Sequence, residues 1–80
     1  MNYEILLNEA KDVIKEKISI GQKFEVKELF NGYDWDNIPK GNRIYFGKLF
    51  ANEVRSGNIA NVEPCGRANN NHLLYVRTQQ

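Results

Sequence analysis

Apolar positions recur at three- and four-residue spacing in two stretches of this chain, and elsewhere they alternate with polar ones or run together; these patterns outline most of a fold. In the first stretch Tyr3, Leu6, Leu7, Ala10, Val13 and Ile14 share one stripe, and Glu9, Asp12, Lys15 and Glu16 fill the other side. The spacing predicts a helix from about Tyr3 to Lys17, frayed into Ile18-Ser19-Ile20 and stopped by Gly21. In Lys23-Phe24-Glu25-Val26 the apolar residues alternate with charged ones, which reads as a short strand. One or two helical turns follow over Lys27 to Asn31, with Leu29 and Phe30 inward and an end at Gly32. Tyr33 to Pro39 then reads as a tight connection whose tryptophan, Trp35, plugs the core beside Ile38.

The second periodic stretch begins at Pro39 and Gly41, since proline is tolerated in a first helical turn, and runs through Ser56 to a left-handed cap at Gly57. On a wheel of about 100° per residue, Phe46, Leu49, Phe50 and Val54 form one arc, while Tyr45, Lys48, Asn52 and Arg55 form the opposite one. The tail reads as a hairpin. Asn58 to Glu63 is one strand, Pro64 to Asn71 the turn region, and His72 to Arg77 a second strand whose Leu73-Leu74-Tyr75-Val76 is continuously apolar. Residues 78–80 are expected to be loose, leaving a single domain over 1–77.

Helix, short strand, short helix, turn, longer helix and hairpin follow one another in the order of a winged helix-turn-helix. The expected class is therefore α+β, with three helices and a small antiparallel sheet in which the first strand joins the hairpin. An unrelated α+β fold, or a helix-hairpin dimer that completes its core across a two-fold axis, uses the same elements.

The stretch Phe24-Glu-Val-Lys-Glu-Leu-Phe30, with Gly32, Trp35, Ile38-Pro39-Lys40-Gly41, Arg43, Gly47-Lys48-Leu49-Phe50 and Asn71-His72-Leu73-Leu74-Tyr75, resembles a family of short bacterial and phage-associated proteins catalogued as a domain of unknown function. The resemblance spans about residues 24 to 76. Some members of that family are labelled single-stranded DNA-binding or regulatory proteins, so the resemblance implies a small winged-helix-like domain with a leaning towards nucleic acid. It supplies no catalytic residues.

Charge gives the same leaning a location. The chain has 80 residues with 11 Lys plus Arg against 10 Asp plus Glu, a formal charge of +1 that argues against strong non-specific binding to nucleic acid. The balance is uneven along the chain: residues 1–36 hold five Lys against eight acids, and residues 37–80 hold six Lys plus Arg against two Glu. Cations thus gather where a reading helix and a wing fall. Lys40, Asn42, Arg43, Tyr45, Lys48, Asn52 and Arg55 of the long helix, with Arg67, Asn70 and His72 of the hairpin, are the candidate nucleic-acid contacts. Cations suit phosphates, Asn and Arg suit base edges, and an exposed Tyr45 or Tyr33 suits a stacked base. A solvated helix face, and asparagines placed in a loop because they tolerate positive φ, are the plain alternatives.

Other chemistries find little support. One cysteine, Cys65, and one histidine, His72, provide neither an internal disulfide nor a zinc ligand set, and we expect no metal or cofactor. No nucleophile has an oriented base beside it, no glycine-rich phosphate loop is present, and we expect a non-enzyme without a small-molecule substrate. Asp34 and Asp36, flanking Trp35, are explained by capping and turn formation. No apolar run approaches the roughly 20 residues of a membrane span, so a soluble, cytoplasmic protein is expected. A chain this short buries only about 60% of its unfolded surface, which suggests stability on the order of 5 kcal/mol and no more than a shallow pocket. The leading reading is a regulatory DNA-binding module, duplex or single strand left open, that dimerises through the first helix, with Leu7 and Ile14 widening its stripe. The alternative is a protein-interaction module of the same fold.

Overall fold

The computed structural model describes residues 2–78. Helix α1, Tyr3–Lys17, is started by Asn2, whose side-chain oxygen accepts from the N–H groups of Glu4 and Ile5 at 3.0 and 3.3 Å. Its stripe buries Ala10 and Ile14, and Ile18 continues it beyond the last turn. At the C-terminal end the Arg77 guanidinium donates to the carbonyls of Ile14, Lys15 and Ile18. A cation there satisfies carbonyls the helix leaves open and sits at the negative end of its dipole. Arg77 thus ties the end of β3 to the end of α1.

Strand β1 is only Lys23–Phe24. Its expected continuation is lost because Glu25 is extended and Val26–Leu29 winds into a 3-10 turn, with the Glu28 carboxylate taking the Glu25 N–H at 2.8 Å. The following segment departs most from expectation. Gly32 does not end a helix; it opens one, α2, Gly32–Asp36, capped by the Asn31 side chain accepting from the Asp34 N–H at 2.9 Å. Helix α3, Lys40–Arg55, begins after Pro39 as predicted and closes with Gly57 at φ +79°.

Strands β2, Val62–Arg67, and β3, Leu73–Arg77, form the hairpin. The sheet is antiparallel in the order β1-β3-β2. Strand β2 runs through Pro64 to Arg67, where a turn was expected: as an edge strand it tolerates the proline, and a bulge sets Cys65 and Gly66, the latter at φ +82°, against Leu74 alone. The turn itself shrinks to Ala68–Asn71, with Asn71 at φ +68° donating its N–H to the Ala68 carbonyl. Thr78, expected to be loose, donates its N–H to the Asn61 carbonyl at 2.8 Å; Gln79 and Gln80 lie outside the described residues. Three helices and a three-stranded antiparallel sheet make an α+β domain, and the element and strand orders are compatible with a winged helix.

The core lies between α1, α3 and the sheet. Phe24, Phe46, Phe50 and Tyr75 are its largest fully buried side chains, and Phe50 meets Tyr75 edge-on at 5.0 Å between ring centres. Ile14 belongs to this core and Leu7 packs against it, so the pair expected to widen a dimer stripe is used within the protomer. Trp35 packs at the edge of the core: half-buried, it stacks on Phe30 at 5.5 Å and meets the fully buried Phe46 edge-on at 6.5 Å. Among the described residues no helix is long and apolar enough to cross a membrane.

Candidate nucleic-acid interface

Along α3, Lys40, Ile44, Gly47, Lys48, Ala51 and Arg55 follow one another at three- and four-residue spacing and so share a face. This face lies beside the core arc, and it fronts the hairpin across an open groove of about 720 Å³. Arg67, Asn71, His72 and Leu73 line it from the hairpin, and Glu25, Val26, Lys27 and Trp35 from the segment between β1 and α3. Gly47 and Ala51 leave the floor open because they carry almost no side chain; a Cβ built on Gly47 meets nothing within 4 Å.

Of the residues singled out from the sequence, Lys40, Arg43, Lys48, Arg55, Arg67 and His72 line this groove together. The other four do not. Asn42 donates from its side-chain amide to the Tyr3 hydroxyl at 2.8 Å, and Tyr45, although exposed, packs its ring on Tyr3 at 4.8 Å. The N-terminal turn of α1 thus takes both residues away from the reading face. Asn52 is exposed but does not line the groove. Asn70 is exposed and already engaged, its side-chain oxygen accepting from the His72 N–H at 3.0 Å and its amide reaching the Glu25 carboxylate at 3.4 Å.

Six cations, Lys27, Lys40, Arg43, Lys48, Arg55 and Arg67, line the groove against one acid, Glu25. Arg43 stands 3.9 Å from Asp36, and Arg67 donates to the Asn71 carbonyl at 2.9 Å, which stiffens the hairpin. Lys27, Lys40, Lys48, Arg55 and Arg67 have no ion-pair partner among the described residues. Glu25 is itself occupied: His72 Nδ1 lies 2.7 Å from its carboxylate. The sequence reading missed Glu25, Lys27, Ile44 and Leu73 as groove residues. Only Ile44 carried a signal, in its spacing from Lys40 and Lys48.

Desolvation works to raise the Glu25 carboxyl, but the hydrogen bonds from His72 and Asn70 and the nearby Lys27 charge outweigh it and hold the group below the usual carboxylate range. Those bonds favour the ionised form, so Glu25 stabilises the fold at and above the ordinary carboxylate value. That contribution is lost as pH falls through the lowered value. Replacing Glu25 by Gln should accordingly flatten the acid limb of a curve of Tm against pH and lower Tm near neutrality. An acid limb that keeps its slope in Glu25→Gln would show that the bond to His72 does not hold the hairpin to the start of the 3-10 turn.

Between them, the fold and the groove define a small α+β domain with a cation-lined cleft between its long helix and its hairpin. The chain belongs to the family described as a domain of unknown function, DUF1413, whose profile matches residues 8–77 and so takes in most of α1 as well as the groove. No curated protein and no solved structure matches it.

Proposed function

We propose that this domain is a small DNA-binding module of a regulatory kind, winged-helix-like in build, that holds the nucleic-acid backbone between α3 and the β2–β3 hairpin. The observation that carries this reading is the sign of the groove: six cations line it, five of them without an ion-pair partner among the described residues, and the single acid is bound to His72. Lys48 and Arg55 are both exposed, so neither the hairpin nor the core covers the α3 face that would meet a ligand. Phosphates supply the complementary charge, and contacts from both walls fix the register of a strand.

The reading predicts binding that is weak overall and steep in salt. Neutralising about four phosphates gives a log-log slope of affinity against salt of about −3 to −4. Fluorescence anisotropy of a labelled oligonucleotide titrated at several salt concentrations measures that slope. Affinity that does not change with salt, or no binding in dilute buffer, would remove the basis of the proposal.

A further inference from the structure

Resting on the nucleic-acid reading, we infer that the groove takes single-stranded DNA, with the phosphates on its cationic rims and unstacked bases on its apolar floor. The floor is what distinguishes the strand states. Ile44 keeps 52% of its surface exposed and Leu73 39%, and both line the groove with Val26, Ala51 and the free part of Trp35. Large apolar side chains gathered in a concavity point to an apolar occupant. A duplex does not provide one. Its outer surface is phosphate and sugar, and its base edges are recessed, so they are reached by a convex element entering a groove. Laid across the walls here, a duplex would touch the cations and leave Ile44 and Leu73 uncovered.

A single strand meets both demands at once. Its bases turn away from the backbone, and every base offers an apolar face to stack or pack. Lys40, Lys48 and Arg55 on one wall and Arg67 on the other provide the backbone contacts. The aromatic residues favoured for stacking from sequence play no part: Tyr45 lies against Tyr3, and neither it nor Tyr33 lines the groove. Trp35 does line it, with one ring face already covered by Phe30, and as the sole tryptophan it reports on the floor.

The test compares one labelled sequence as a single strand and as a duplex, in the same low-salt buffer, against the whole chain. The single strand should bind at least about tenfold more tightly, with a change in Trp35 emission on saturation. Ile44→Gln and Leu73→Thr alter exposed side chains and should leave Tm close to that of the parent. Each should weaken the single strand by about fivefold while leaving duplex affinity where it was. Duplex binding as tight as single-strand binding, or floor substitutions that shift both forms alike, would overturn the inference and leave the DNA-binding proposal intact. Failure of both forms to bind would end that proposal and the inference with it.

Discussion

Phe50→Ala should leave the domain only marginally folded at room temperature, with its urea midpoint close to zero. Phe50 is completely buried, meets Tyr75 edge-on at 5.0 Å and stands 6.4 Å from Phe46, so its ring joins α3 to the central strand of the sheet. Removing a buried phenylalanine costs about 3–5 kcal/mol, because transfer energy is lost and a cavity is left where neighbours cannot close in. A domain of this size has total stability on the order of 5 kcal/mol, so only about 0–2 kcal/mol remains and unfolding begins in dilute urea. Urea unfolding followed by circular dichroism checks this, with Tyr45→Ala as the comparison. Tyr45 is exposed, packs only on Tyr3 among the aromatic rings, and should cost about 1 kcal/mol. A Phe50→Ala protein that unfolds at nearly the same urea concentration as the parent would show that the core does not centre on the contact of α3 with β3.

What the sequence makes legible here divides along the range of the interactions concerned. Helices α1 and α3 are readable because each repeats an apolar stripe over several turns, and the ends of α1 coincide with the expected ones. Helix α2 is not readable. Five residues are too few to display a period, and Gly32 suggests an ending where the Asn31 cap makes a beginning. The hairpin is legible as a hairpin, but its bulge is not. Pro64 and Gly66 read as a turn until the edge position of β2 and the positive φ of Gly66 explain both residues within a strand.

The site is legible as charge and not as a surface. The split between an acidic first half and a basic second half anticipates the cations of α3 and Arg67, although Lys27 joins them from the acidic half. A helical wheel gives angles around one helix and says nothing of what stands beside it. Lys48 and Arg55 share their arc with Tyr45 and Asn52, yet the first pair faces the hairpin, while Tyr45 turns to Tyr3 and Asn52 stays outside the groove. The pairing of Glu25 with His72 and the capping of α1 by Arg77 bring together residues from opposite ends of the chain. Local pattern carries no record of such contacts.

Reversal of charge on the α3 wall has the second of the largest expected effects, and it bears on the central claim. Lys48→Glu with Arg55→Glu replaces two cations of the groove by acids and takes the formal charge from +1 to −3. Lys11→Glu with Lys15→Glu changes the total by the same amount. Those lysines line a separate hollow of about 330 Å³ beside Arg77, which shares no residue with the groove. If the groove holds the phosphates, the first pair loses its contacts and opposes the strand at close range, lowering affinity by about a hundredfold at low salt. The second pair acts only through screened long-range charge and should lower affinity by about fivefold or less. Both double variants alter exposed side chains, so circular dichroism should show the parent fold in each. The deciding measurement is the affinity of the two variants for one labelled oligonucleotide in the same buffer. A loss confined to Lys48→Glu/Arg55→Glu is the predicted result; equal losses in both, or none in either, would contradict it.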